Sequence, residues 1–306
     1  IQEPVRILVP TGSTYTSLTD SLNVHHCINR PHLFLRLSQL RGLTHHVQPG
    51  SYLIQPHTGL IQLVQKFYSG RQDPIRITIN RHRTKRELCD FLSSRLELSA
   101  DSLLYLMNND SIATSYGENC QTIIGMFLQD TYELYWSISP NDLLDRMHKE
   151  SKRFWSTRQG LLTRMGLTQQ QVITLASIID EETNVDEEKP DIASVYLNRY
   201  RMGMPLQADP TVKYAIGDFS IRRIKGNMLK RESPYNTYSH AGLPPGPICI
   251  PSKKSIDAVL INKKTDYLFF CAKEDFSGHH NFSSTHEEHL NNAKKFHKAL
   301  NKRGVK

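Results

Sequence analysis

Val172-Ile-Thr-Leu-Ala-Ser-Ile-Ile-Asp-Glu-Glu-Thr183 reads as an apolar helix that runs into three consecutive carboxylates. At about 100° per residue, Val172, Leu175, Ala176 and Ile179 share one face. Glu182 falls within that face, three residues after Ile179 and four after Ile178. Glu181 points to the opposite side and Asp180 lies near the edge. The pattern predicts one acid turned toward the packed side while its two neighbours meet water. A carboxyl held against apolar surface keeps its proton longer, because burial disfavours the charged form. A general acid working near neutral pH requires this. The competing reading is a solvated acidic helix end, the commoner meaning of such a cluster.

Downstream, Asp186-Glu-Glu-Lys-Pro190 separates this helix from a second one, with Ala193, Tyr196, Leu197 and Tyr200 on one face. Arg201-Met-Gly-Met-Pro205 breaks that helix. Asp209-Pro210 has the form of an N-cap followed by proline at the first helical position. Pro234-Tyr-Asn-Thr-Tyr238 and Gly242-Leu-Pro-Pro-Gly-Pro247 are stiff loops, since proline lacks a backbone donor and fixes φ. Tyr267-Leu-Phe-Phe-Cys-Ala272 reads as a buried strand, and Thr285-His-Glu-Glu288 as a capping box opening a last amphipathic helix.

Upstream, an internal repeat stands out. Val5-Arg-Ile-Leu-Val9 aligns with Ile75-Arg-Ile-Thr-Ile79, and Thr14, Leu18 and Leu22 align with Thr84, Leu88 and Leu92 at the same offset. Each copy reads as a strand of period two, a polar turn and an amphipathic helix capped by threonine. Val47–Ile54 predicts another strand, followed by a helix over about 59–68. Residues 101–124 read as helical, then irregular. Phe127–Trp136 is extended, and Pro140 opens a helix running toward Trp155.

At 306 residues the chain is long enough for two domains. No segment approaches about 18 consecutive apolar residues, so no membrane span is expected within it. It begins at Ile1, and an anchor or signal segment upstream is expected to have been removed. The net charge is +8, densest at Arg81–Arg86 and Arg222–Lys225. An anionic polymer or membrane surface accounts for that charge as well as nucleic acid does. No zinc-finger spacing, RNP motif or P-loop supports nucleic acid as a partner. The five cysteines are scattered without a CxxC pair and read as buried small hydrophobes. The fourteen histidines include adjacent pairs but no HExxH, so neither metal nor other cofactor is expected.

Near the candidate acid, Gln207, Asp209, Tyr235, Asn236, Thr237 and Tyr238 are side chains suited to gripping sugars. Each has a plainer reading. Asp209 reads more readily as a helix cap than as a base. Tyr235 and Tyr238 read as packing, Asn236 as a turn residue, and His280 and His289 as surface or capping residues.

Together, Leu175–Thr183, Ala193-Ser-Val-Tyr-Leu-Asn-Arg199, Leu206-Gln-Ala-Asp-Pro-Thr-Val212, Tyr235-Asn-Thr-Tyr238 and Gly242–Ile248 resemble the YceG-like family, the endolytic murein transglycosylases. The order and spacing match over roughly residues 120–300. Phe127-Leu-Gln-Asp-Thr-Tyr132 resembles that family's Phe-Pro-Asp-Thr-Tyr segment, with Gln129 in place of the proline. The resemblance implies an α+β fold: a LysM-like strand–helix region over 1–100, a connecting segment over 101–160, and a mixed α+β catalytic domain over 161–306. It puts the catalytic glutamate at Glu182, the residue the helical wheel selects independently. It implies that Gln207, Asp209, Tyr235, Asn236, Thr237, Asn198 and His280 line a glycan groove.

The implied substrate is the peptidoglycan glycan strand, and the implied reaction is lytic cleavage leaving a 1,6-anhydro-muramyl end. A hydrolytic muramidase and a non-catalytic peptidoglycan-binding protein are the alternatives. Such proteins are typically held in the inner membrane by a single N-terminal helix, absent here, with the rest on the periplasmic side. Cell-wall synthesis enzymes are partners expected at family level.

Overall fold

A computed structural model of the chain describes residues 1–221 and 223–302; Arg222, in the second basic segment, lies outside the described residues. The fold is mixed α+β. In chain order the N-terminal elements are β1 (Val5–Val9), α1 (Tyr15–Val24), α2 (Pro31–Arg41), β2 (Gly50–Ile54) and α3 (Leu60–Ser69). Next come β3 (Ile75–Ile79), α4 (Lys85–Ser93), α5 (Ala100–Met107), α6 (Asp110–Ser115), β4 (Asp130–Leu134) and α7 (Pro140–Ser156). The remainder comprises α8 (Gln159–Met165), α9 (Gln169–Glu182), α10 (Lys189–Arg201), α11 (Asp209–Ile216), α12 (Lys253–Ile261), β5 (Phe269–Ala272), β6 (His280–Ser283) and α13 (His286–Lys302). The chain forms two compact units. One comprises Ile1–Thr78, Cys89–Leu104 and Thr131–Leu144; the other comprises Ile79–Leu88, Tyr105–Asp130 and the described residues from Asp145 onward.

In the first unit β1 runs antiparallel to β2, with Val5 opposite Ile54 and Val9 opposite Gly50. The period-two pattern turns Ile7 and Val9 inward, where they meet Leu18, Leu22, Phe34, Tyr52, Leu63 and Phe67. Thr14 caps α1 as expected, its hydroxyl accepting from Ser17 N at 3.2 Å. In the second copy of the repeat, Thr84 accepts from Glu87 N at 3.1 Å, and Leu88 and Leu92 are buried. Neither repeat strand pairs with the other; β1 pairs with β2, and β3 with β4. Each copy therefore closes on its own partner strand.

The second unit is organised on α9. Thr168 and Gln171 make a reciprocal capping box at its start, with bonds of 3.2 and 2.9 Å. From Val172 to Asp180 every residue is buried. A helix enclosed on all sides rather than one lies at the centre of a core. Helices α10, α11 and α12 pack around it. Ser177, polar and fully buried, has a specific use. Its hydroxyl accepts from Ile248 N at 3.0 Å, which seats the proline-rich loop on the helix. Gly246 in that loop has no room for a side chain, because a Cβ there would stand 2.5 Å from the Gln121 carbonyl oxygen. β5 and β6 pair antiparallel, Phe269 opposite Ser283. β5 is half-buried along its length rather than buried. At the start of α13, Glu288 N donates to the Thr285 hydroxyl and Thr285 N to the Glu288 carboxylate, each at 3.3 Å, completing the expected box.

Candidate active site

Glu182 is the last residue of α9 and opens into a cavity of about 280 Å³. Helix α10 adds Tyr196 and Arg199 to its lining, the turn leading into α11 adds Leu206 and Gln207, and the first residue of α11 adds Asp209. Tyr238, Phe269, Phe270 and His289 complete it. The carboxyl has one direct partner: the Tyr196 hydroxyl donates to Glu182 Oε1 at 2.6 Å. Burial pushes the acid up to about 7. The Tyr196 hydrogen bond pulls it partly back, and the negative charge of Asp209 adds to the rise. The helix C-terminus, with its unpaired carbonyls, disfavours an anion in the same sense.

The neighbouring acids do not meet water as the helical wheel suggests. Asp180 is 2% exposed and ionised. Ser252 donates to its Oδ1 at 2.6 Å, Ser255 also donates to Oδ1, and Lys189 Nζ stands 3.3 Å away. Arg81 Nε reaches Oδ2 at 3.1 Å. Burial alone would raise Asp180, but the two serines, Arg81 and Lys189 outweigh it and hold the carboxyl below its ordinary value. Gln129, in the position of the family's proline, donates to Asp180 Oδ2 at 3.4 Å and to the Ile250 carbonyl at 2.7 Å. Glu181 is forked by Arg83, whose Nε and Nη2 donate at 2.9 and 3.0 Å. The wheel placed the side chains correctly on α9. It could not know that segments distant in sequence would cover the other faces.

Asp209 is also placed differently from its first reading. The N-cap of α11 is Ala208, and Asp209 is the first residue of the helix. One position inside, its carboxylate accepts from the Tyr238 hydroxyl at 2.6 Å and faces the cavity instead of capping the turn. The helix has no side-chain cap; Thr237 instead anchors the residue before it, its hydroxyl accepting from Ala208 N at 3.0 Å and sharing a 2.8 Å hydrogen bond with Thr211. Gln207 lies in the left-handed region with φ 55°. That conformation is costly for a residue with a side chain and is found where its surroundings fix it. Here Gln207 N donates to the Thr237 carbonyl at 3.1 Å, and Arg199 Nη1 donates to Gln207 Oε1 at 3.2 Å.

Of the residues expected to line a groove, Glu182, Gln207 and Asp209 come together at the cavity. The other five lie outside its lining. Asn236 is fully buried; its amide donates to the Leu229 and Arg231 carbonyls at 3.0 and 2.7 Å, closing its own loop. Thr237 is the latch described above. Tyr235 packs against Tyr214, with ring centroids 4.7 Å apart. Asn198 donates to the Thr265 and Tyr267 carbonyls at 2.8 and 3.0 Å, tying the approach to β5 onto α10. His280 joins Glu188, its N at 2.8 Å and its Nδ1 at 3.1 Å. These side chains hold the loops from which the cavity is built.

Sequence reasoning passed over Tyr196, Arg199, Phe269, Phe270 and His289 as site residues. Tyr196 and Arg199 fall within the motif Ala193–Arg199, three apart and so on one side of a helix. That spacing was the available signal. Phe269, Phe270 and His289 have no local signal beyond ordinary packing.

A model of the YceG-like family matches residues 7–295. An endolytic murein transglycosylase of Bacillus subtilis is 27% identical over 315 residues, covering 98% of this chain and 86% of its own length. One of Streptococcus pneumoniae is 29% identical over 172 residues, covering 55% of this chain and 31% of its own length. The crystal structure of a yceG-like protein from Listeria monocytogenes superposes with a TM-score of 0.62 at 28% identity, covering 95% of this chain and 99% of that one. With the family's model matching nearly end to end, around a cavity built from the motifs that first suggested it, the chain belongs to the YceG-like family.

Proposed function

We propose that this chain is a peptidoglycan lytic transglycosylase in which Glu182 acts alone as acid and then as base. The observation that carries this reading is a carboxyl pushed up to about 7, held by one tyrosine in a cavity lined by sugar-binding side-chain types. The relatives named endolytic murein transglycosylases support the substrate class. Protonated Glu182 donates its proton to the oxygen linking N-acetylmuramic acid to N-acetylglucosamine, and that bond breaks. Positive charge develops at the anomeric carbon, where Asp209 and the amide of Gln207 supply nearby compensation. The muramyl C6 hydroxyl attacks that carbon, and the Glu182 carboxylate takes its proton. Atoms balance without water, leaving a 1,6-anhydro end and a regenerated acid. The internal nucleophile works at high effective concentration.

A hydrolytic reading has one observation in its favour: Asp209 is a second carboxylate in the same cavity. In that case Asp209 activates a water. Mass spectrometry of products from purified glycan strands separates the two, because the anhydro end is about 18 Da lighter than the hydrolysed end. Reducing ends as the main product reject the transglycosylase. No helix among the described residues is long and apolar enough to cross a membrane. The reading puts the cavity outside the cytoplasm, where peptidoglycan lies. Membrane anchorage and association with wall-synthesis enzymes are its finer parts, tested by fractionation and by co-purification of the full-length protein.

A further inference from the structure

Arg199 brings a guanidinium, 7% exposed, into the cavity that holds Glu182. Its contacts are with neutral oxygens. Nε donates to the Leu268 carbonyl at 2.7 Å. Nη1 donates to the Pro205 and Leu206 carbonyls at 3.3 and 3.0 Å, and to Gln207 Oε1 at 3.2 Å. Among the described residues Nη2 has no hydrogen bond, and no carboxylate pairs with the group. The guanidinium lies over the Phe269 ring, 5.0 Å from its centroid. His289 stacks on the same ring at 5.3 Å, and its Nδ1 is buried without a partner among the described residues.

A cation so little exposed, with no carboxylate paired to it, is costly. Arginine remains charged in spite of burial. Its plane is fixed here by four acceptors, so the direction of Nη2 is fixed as well. A rigid N–H pair open to the cavity and without a protein acceptor favours a polarised or anionic oxygen over a sugar hydroxyl, because a charge-assisted bond gains most.

We propose that Arg199 is a specificity-determining residue of this site, its Nη2 donating to an acyl oxygen carried by the bound sugar. Two groups of a muramyl glycan offer that chemistry, the 2-acetamido carbonyl and the lactyl carboxyl. The proposal rests on the peptidoglycan reading above.

The test uses the wild-type chain and three synthetic muramyl oligosaccharides of equal length. One is native, one carries a hydroxyl in place of the 2-acetamido group, and one has the lactyl carboxyl reduced to an alcohol. Removing the recognised oxygen lowers kcat/KM by about 10- to 100-fold, and the sensitive substrate names the source. Arg199→Lys loses a similar factor on the native substrate and no longer separates it from the sensitive one. Its alkaline pH limb stays in place, because Glu182 and Tyr196 are untouched. Wild-type cleavage of both altered substrates within about twofold of native overturns the proposal. So does an Arg199→Lys variant that discriminates as wild type does. A wild-type chain that cleaves none of the three overturns the peptidoglycan reading, and this proposal with it. Should the lysine variant not fold, the guanidinium 15N signals of Arg199 in the Glu182→Gln chain replace it. They shift on titration with the native oligosaccharide and not with the one lacking the recognised oxygen; unmoved signals overturn the assignment.

Discussion

Asp180 and Glu182 stand two residues apart at the end of one helix, both withdrawn from bulk water, and their surroundings drive them to opposite charge states. Asp180 meets two hydroxyls, an arginine and a lysine, and stays ionised below the ordinary carboxylate range. Glu182 meets one phenol and the negative charge of Asp209, and keeps its proton up to about 7. Desolvation acts on both in the same direction. Partner supply decides the outcome: four groups outweigh burial at Asp180, and one does not at Glu182. The first carboxylate locks segments around residues 81, 189, 252 and 255 onto α9; the second is left free to exchange a proton.

The largest effect separates the two by chemistry. Glu182→Gln keeps the shape and removes the exchangeable proton. Glycan cleavage should fall by about 10³-fold or more, with the fold and strand binding retained. Product release measured on purified strands checks it, and retention of a tenth of wild-type activity breaks the assignment. In the wild-type chain, kcat/KM should hold below about pH 7 and fall tenfold per unit above it, as Glu182 loses its proton.

Asp180→Ala should strike stability instead. It leaves Lys189, 6% exposed at its side chain, with Asp186 at 2.8 Å as its remaining acidic partner. It also removes the carboxylate to which both serines donate. A loss of about 3 kcal/mol in urea unfolding is expected. Because the folded state holds Asp180 below its unfolded value of about 3.9, this contribution is full above that value. It disappears as pH falls through the lower, folded value. A variant within about 1 kcal/mol of wild type at pH 7 would make the cluster an ornament of the surface rather than a lock.

How much of this contrast was legible beforehand depends on the range of the cause. The strand–helix repeat, the Thr14, Thr84 and Thr285 caps and the placement of Glu182 follow from neighbours within a few residues, and a linear pattern carries them. Asp180 was misread because its partners arrive from three other segments. Asp209 differs from its cap reading because the N-cap falls one residue earlier, at Ala208, and its carboxylate is engaged by Tyr238, 29 residues away in sequence. Asn236 has the chemistry to hold a sugar, and its donors are spent on loop carbonyls instead. A polar side chain in a loop reveals its type in sequence, but its target exists only once the loop closes. Arg199 shows the converse: its motif was visible, while its unspent Nη2 required coordinates.

The same two acids should answer neutralisation with opposite signs of stability. Between the unfolded glutamate value of about 4.3 and the folded value of about 7, the folded state holds a proton at Glu182 that the unfolded chain has released. Wild-type stability therefore falls across that window as pH rises, and the deficit remains above it. Glutamine cannot ionise. Glu182→Gln should thus be more stable than wild type by about 1–2 kcal/mol at pH 8, and equal to it near pH 4, allowing for water at the cavity mouth. Urea titrations at the two pH values give the answer; a variant less stable than wild type at pH 8 contradicts the protonated acid.

The smallest effect tests the one partner Glu182 has. Tyr196 is buried, with its ring edge-on to Phe270 at 5.8 Å, so phenylalanine should replace it without disturbing the packing. The hydroxyl that donates to Glu182 favours the ionised carboxylate. Without it the acid should hold its proton to higher pH, moving the alkaline limb of kcat/KM upward. Activity on the plateau should drop only about threefold to tenfold, the worth of one hydrogen bond that orients the acid. A limb that moves downward would mean the phenol stabilises the protonated form instead. Tyr196→Phe thus sharpens the comparison with Asp180: adding donors to a buried carboxylate lowers it, and removing the last one carries it further from its neighbour.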